Sequence, residues 1–403
     1  MENRVLTSSQ LSYRLRAMSI ACSLALVCDT ALCGQISSLT STTVEDALSP
    51  LASKHSISFN YANFDVPIAG VAGGEEVVFV GEPLKRSVVA LSRFTGNQIG
   101  ELPPPPNGFA VPFIIHSLGK GKVAVLDAGG LPQPAPFVPT SPSIYEYTYK
   151  VIPEQGFTAS LARTVSFASV LIGFSEDFVH LDDGRYLISD AVLGSIWIAQ
   201  PDGTISPGIV PKSFNPGDLI PTLAFGPTMP EITVNGYPFL FTGSTLPGVS
   251  PLAVRDGTVY YYSPAARGIY AFPLAILSDN RLPYQRAANI YLVAPTPANV
   301  AVEELLDFSF NSYNPLDRYL YAADPLQLQV IRINLLNGAR EVVASGQKLF
   351  DFPSSLSFLP SIGPVSELVV VSNQQERTPI TNDAVSQTTF NLPFIVSKIL
   401  VTP

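Results

Sequence analysis

Apolar residues in this chain fall in short runs of five or six, separated by turn residues. After the first forty positions no sustained helical period appears. Phe174–Gly203, FSEDFVHLDDGRYLISDAVLGSIWIAQPDG, shows the unit most plainly. A short stretch ends in Asp182-Asp183-Gly184, an apolar-rich run covers Arg185–Asp190, and Leu193-Gly194 turns into Ser195–Ala199 before Pro201-Asp202-Gly203. Asp-Gly between apolar runs is a hairpin signal. Three or four strands in about thirty residues make one blade of a β-propeller.

The pattern recurs through its second strand, at Glu76–Val80, Lys122–Asp127, Arg185–Asp190, Thr258–Tyr262, Arg318–Ala322 and Glu367–Ser372. Third strands follow at Ser87–Ser92, Ser143–Tyr147, Ser195–Ala199, Gly268–Phe272 and Gln329–Asn334. Six units at spacings of roughly 45–75 residues predict an all-β, six-bladed β-propeller over 55–403, read as one domain. Ser56–Phe64 predicts a first strand. Pro393–Val401 predicts a last strand that pairs with the N-terminal segment and closes the ring. Between blades three and four, Ser206–Gly248 is an insertion. Within it, Ile232–Phe241 reads as an extra hairpin with an Asn235-Gly236 turn, either a lid on the channel mouth or a decorated surface loop.

Composition narrows the functional classes. The chain has 403 residues, 46% of them apolar and only 14% charged, with 37 Pro and 28 Gly, which suits a turn-rich globular protein and not a disordered one. The net charge is −9 without a basic patch, which argues against nucleic acid and anionic membranes as partners. Arg4, Arg14 and Arg16 precede the short apolar run Met18–Val27. Residues 1–34 therefore read as a secretory signal and 35–54 as a polar lead-in, making the product secreted or lumenal. A largely apolar run of ten residues is too short to span a bilayer, and no other run is long enough. All three cysteines, Cys22, Cys28 and Cys33, lie in that leader, so the mature chain has neither disulfides nor thiol chemistry. A monomer is expected.

In a propeller the innermost strands surround a central channel, and its mouth is the usual ligand site. The residues that fall there are Asp65 in blade one, Phe109 and His116 in blade two, and Glu176 and Asp177 in blade three. Ser250 falls there in blade four, Glu304 and Asp307 in blade five, and Ser354 and Ser355 in blade six. Glu176, Asp177, Asp307 and His116 are the catalytic candidates; Asp65, Phe109, Ser250, Glu304, Ser354 and Ser355 are substrate-binding candidates. His180 is expected to face a blade interior, and Trp197, Tyr260, Tyr261, Tyr262 and Phe272 are expected in blade cores. No Gly-rich phosphate loop, HExxH or nucleophile elbow occurs.

Asp177–Gly203, with its polar–Asp pair, Asp-Gly turn and strand ending in Asp, resembles the senescence marker protein/gluconolactonase propellers. So do Leu306–Phe310 with Arg318–Ala322, and Pro353–Phe358. Gly248–Leu277 is also similar to the royal-jelly/yellow propellers. The lactonase resemblance implies one divalent metal held by Glu, Asn and Asp from different blades. Asp307 matches the aspartate, but Glu176 stands where the family has Asn before Asp177, Ser250-Pro251 replaces Asn-Gly, and the opening Glu-Gly-Pro is missing. The strictosidine-synthase relatives use one channel Glu, for which Glu304 or Glu176 is available. Fungal hetero-Diels–Alderase propellers are similar too, and that likeness implies a metal-free cycloaddition on a lipophilic polyketide or terpenoid without a cofactor. A metal-dependent lactonase and a non-catalytic secreted binding propeller remain as alternatives.

Overall fold

The computed structural model describes residues 56–401, apart from 131–139, 153–155, 192–193, 211–231, 240–247, 265, 301–302, 347–348, 361–364 and 378–385. The expected leader and lead-in lie outside the described residues.

Six four-stranded antiparallel sheets form the six blades. The chain opens with β1 (Ser56–Phe64). Blade one is β2 (Ala69–Gly73), β3 (Val77–Glu82), β4 (Ser87–Ser92) and β5 (Gln98–Glu101). Blade two is β6 (Pro112–Gly119), β7 (Lys122–Asp127), β8 (Ser143–Ile152) and β9 (Gly156–Ser166). Blade three is β10 (Phe178–His180), β11 (Tyr186–Asp190), β12 (Ser195–Ala199) and β13 (Ile205–Ile209). The inserted hairpin follows as β14 (Ile232–Val234) and β15 (Tyr237–Phe239). Blade four is β16 (Leu252–Arg255), β17 (Thr258–Ser263), β18 (Gly268–Pro273) and β19 (Tyr291–Pro295). Blade five is β20 (Phe308–Phe310), β21 (Tyr319–Asp324), β22 (Gln329–Asn334) and β23 (Arg340–Ser345). Blade six is β24 (Pro353–Leu359), β25 (Ser366–Ser372) and β26 (Phe394–Val401), with β1 as its fourth strand. β1 pairs antiparallel with β26, from Ser56 opposite Leu400 to Phe64 opposite Phe394, so the two ends of the chain close the ring as expected. Ser56–Phe64 is thus the outer strand of the last blade, not the start of the first.

The hydrophobic pattern follows from blade stacking. Second strands are sandwiched between neighbouring blades on both faces, so β3 and β11 are buried at every position. The outer strand β9 instead alternates exposed and half-buried residues along most of its length. The core is correspondingly divided into the seams between blades. One cluster joins Val123 and Tyr147 of blade two to Phe79 of blade one, and another joins Phe178 and Tyr186 of blade three to Ile114 of blade two. Tyr261, Tyr262 and Phe272 are buried as expected, while Trp197 and Tyr260 pack half-buried against these seams. His180 is exposed, contrary to expectation, because the short β10 ends there and its ring only leans on Tyr186.

The aspartates that end the second strands have a structural task. Asp127 accepts the backbone N–H groups of Ala110, Val111 and Gly129, and Asp190 accepts that of Gly173 at 2.9 Å. A carboxylate there satisfies several loop donors at once and fixes the connection leading into the inner strand of its blade. These connections share one end of the propeller with the turns from second to third strands.

Candidate functional site

The inner strands of blades three and five are entered through the same dipeptide, Asp177-Phe178 and Asp307-Phe308, and both aspartates are buried. Each reaches across to the first residues of the next blade. Asp177 Oδ2 accepts Leu252 N–H of blade four at 2.7 Å, while its Oδ1 accepts Phe178 N–H at 2.7 Å and lies 2.9 Å from His116 Nε2 of blade two. Asp307 Oδ2 accepts Leu356 N–H at 2.8 Å and Ser355 Oγ–H at 2.7 Å, both from blade six. Ser355 Oγ in turn accepts Val71 N–H of blade one at 3.0 Å. One carboxylate thus staples blades two, three and four, and the other staples blades five, six and one. Asp307 Oδ1 is buried without a partner.

Electrostatics show which groups share the channel. Burial would lower the His116 pKa, but the hydrogen bond and charge of Asp177, joined by the charge of Asp307, outweigh it and raise it. Blades two and five face each other across a six-bladed ring, so His116 and Asp307 meet over a narrow axis. Burial and then the charge of Asp177 push Asp307 well above the carboxylate range, against His116, Ser355 and Leu356 N–H. Two glutamates stand in the connections just before the staples: Glu176 directly precedes Asp177, and Glu304 lies shortly before Asp307. Burial drives Glu176 up to about 7; Ser250 beside it opposes this and Asp177 adds to it. The Ser250 hydroxyl itself makes no hydrogen bond of good geometry. Glu304 is pushed up to about 8 by burial, by Glu176 and by Asp324. Near neutral pH, then, Glu304 is mostly a protonated acid and Glu176 is divided between acid and carboxylate, so each can donate a hydrogen bond in its acid form.

Of the sequence candidates, His116, Glu176, Asp177, Ser250, Glu304, Asp307 and Ser355 come together. Asp65 does not: its side chain is 69% exposed and pairs with Lys85 at 2.8 Å, because the loop after β1 turns outward. Phe109 does not line the channel either. It is buried in the seam of blades one and two against Tyr145 and Tyr147, where an aromatic ring removes more surface from water. Ser354 is buried, and its hydroxyl points back to the Val371 carbonyl of its own blade. Sequence reasoning missed Asp324, although it ends β21 as Asp127 and Asp190 end theirs, and that repetition was the available signal.

A divalent cation needs several oxygens converging at about 2.0–2.6 Å. Of the four carboxylate oxygens of Asp177 and Asp307, three are turned into the seams onto N–H and O–H donors and Asp307 Oδ1 is unpartnered. Among the described residues no group of three or more His, Cys, Asp or Glu is arranged to hold a metal. Asp307 and Glu176, the remnants of the lactonase metal set, are not gathered into such a group among the described residues.

The fold and site define a six-bladed propeller with a carboxyl-lined channel. Among solved structures, a Bacteroides thetaiotaomicron protein of unknown function superposes with a TM-score of 0.50 at 12% identity, covering 86% of this chain and 73% of that one. A gluconolactonase from Xanthomonas campestris gives 0.47 at 11% identity, covering 89% of this chain and 94% of that one. The calcium-binding protein regucalcin from Agrobacterium tumefaciens gives 0.45 at 12%, covering 86% and 92%. At 12% identity the likeness to the first of these is one of fold alone. No protein-family model matches the sequence, and no curated protein does.

Proposed function

We propose that this propeller is a metal-independent enzyme that binds a lipophilic small molecule in its channel and promotes a cyclisation of the hetero-Diels–Alder type in secondary metabolism. The observation that carries the proposal is the pair Glu176 and Glu304, brought from blades three and five close enough for the charge of Glu176 to act on Glu304, with both acid forms favoured by burial. A protonated carboxyl donates a hydrogen bond where little water competes. Donation to the carbonyl oxygen of an electron-poor heterodiene, such as a quinone methide, withdraws charge from it and lowers the barrier to addition of an alkene. Both new bonds form from the π electrons of the partners, and the acid keeps its proton. One such donor is worth about 3–4 kcal/mol in a transition state, and holding two reactants together adds more. The basic and apolar leader supports delivery to the secretory pathway.

The test is turnover of a quinone-methide precursor with a terpene alkene by protein dialysed against EDTA. Activity should survive dialysis. Glu176→Gln and Glu304→Gln keep an N–H donor and should retain more activity than the Ala variants, which should lose on the order of 10²–10³-fold. Activity that vanishes with EDTA and returns with calcium or zinc would overturn the proposal in favour of a metal-dependent lactonase.

A further inference from the structure

The hairpin β14–β15 leaves the connection between blades three and four, yet its tip lands on blades five and six. Its turn, Asn235-Gly236, has φ of 53° and 78°, the left-handed pair of a tight hairpin. Val234 is buried against Leu326 and Phe352, with Leu306 and Leu328 packed on the same cluster. Leu306 lies directly before Asp307 and two residues after Glu304. The Asn235 amide donates to Glu376 Oε1 at 3.0 Å and to Asp351 Oδ1. Arg377 grips both oxygens of Asp351, at 3.0 and 2.9 Å, and Glu376 Oε1 at 3.1 Å. It also donates to Tyr237 Oη at 2.9 Å, and its guanidinium sits 4.6 Å above the Tyr237 ring. Glu376 is fully buried.

From this we infer that the hairpin roofs the blade-five and blade-six side of the channel mouth, and that Asn235 and Tyr237 latch it onto the Asp351–Glu376–Arg377 cluster, so that the latch governs admission to the site. The inference rests on the channel being the ligand site proposed above. Two strands of three residues are not stable alone, so the latch and one buried valine, not the hairpin's own pairing, set its position. Arg377 bridges Asp351 and Glu376 without the hairpin, so releasing it leaves that ion pair in place. Such a small contact opens far more readily than a blade seam.

The experiment uses the full chain carrying Asn235→Gly with Tyr237→Phe, which suits the turn's φ and removes both latch groups. Hydrogen exchange of the hairpin amides should accelerate at least about tenfold while blade amides stay protected. Added Ser250→Cys, read by peptide mapping, should react with a bulky thiol reagent at least about fivefold faster than in the latched background. Asn235→Asp, which keeps the turn and sets a carboxylate against Asp351 and Glu376, should release the hairpin by repulsion even if the double variant folds poorly. Unchanged hairpin exchange in both variants would refute the latch. A released hairpin with unchanged labelling at position 250 would refute the roof. Neither readout uses turnover, so this inference and the enzymatic proposal fail separately.

Discussion

Asp177→Ala separates a staple from a catalyst. The wild-type carboxylate accepts two buried backbone N–H groups, those of Phe178 and Leu252, and holds His116 at 2.9 Å. Only 1% of the Asp177 side chain is exposed, so water does not replace it readily. Alanine leaves two buried donors unpaired, at about 1–3 kcal/mol each, and adds a small cavity. The loss should therefore total about 3–6 kcal/mol, a large share of the stability of most domains. Asp177→Asn keeps one acceptor oxygen but turns an NH2 group toward one of the remaining donors, so about half that loss is expected. Glu176→Ala removes an acid whose burial already costs free energy and should change stability by less than about 1 kcal/mol. Urea unfolding followed by tyrosine fluorescence, with the slope checked for constancy, gives the three differences. If Asp177→Ala shifts stability by less than about 1 kcal/mol yet abolishes turnover, the staple is wrong and Asp177 belongs to the chemistry.

Stability should also depend on pH. Glu176 and Glu304 are raised to about 7 and 8 from 4.5, so the folded state holds protons that the unfolded chain releases. Their contribution is fully present below about pH 4.5 and is lost as pH rises through 7 to 8, each held proton costing at most about 1.4 kcal/mol for every pH step of one. The urea midpoint should fall across that window, and Glu176→Gln with Glu304→Gln should make the fall shallower, with Asp307, Asp324 and Glu376 still contributing to it; a midpoint rising from pH 6 to 9 would contradict the assignment. Gly70→Ala should cost on the order of 3 kcal/mol or more by the same unfolding assay. Gly70 sits at φ 64° in the inner strand of blade one, and an added Cβ would come 2.5 Å from the Phe113 carbonyl of blade two. A loss below about 1 kcal/mol would mean the seam between those blades can open.

The architecture was legible in the sequence because it is local and repeated. Blades three, four and five write hairpins through Asp-Gly or Asn-Gly turns, and both-faces burial of the second strands makes runs such as Val77–Glu82 and Tyr186–Asp190 apolar or small throughout most of their length. Ring closure was legible too, since the terminal apolar stretches at Ser56–Phe64 and Pro393–Val401 need a partner strand. The channel candidates were only partly legible. Inner-strand starts identify which residues come near the axis, but not which way each side chain turns, and that separates Asp307 from Phe109 and Asp65. Asp177 and Asp307 carry the same local signal as a metal ligand or an acid; only the approach of Leu252 and Leu356 from the neighbouring blades makes them staples. The raised pKa values of Glu176 and Glu304 likewise depend on burial and on each other, across 128 positions of chain that the ring folds together. The hairpin was foreseeable from Asn235-Gly236, but its landing place on Asp351, Glu376 and Arg377 was not, because no local rule couples residues more than a hundred positions apart. Local turn and burial preferences write the blades; long-range contact between blades decides what their charged groups do.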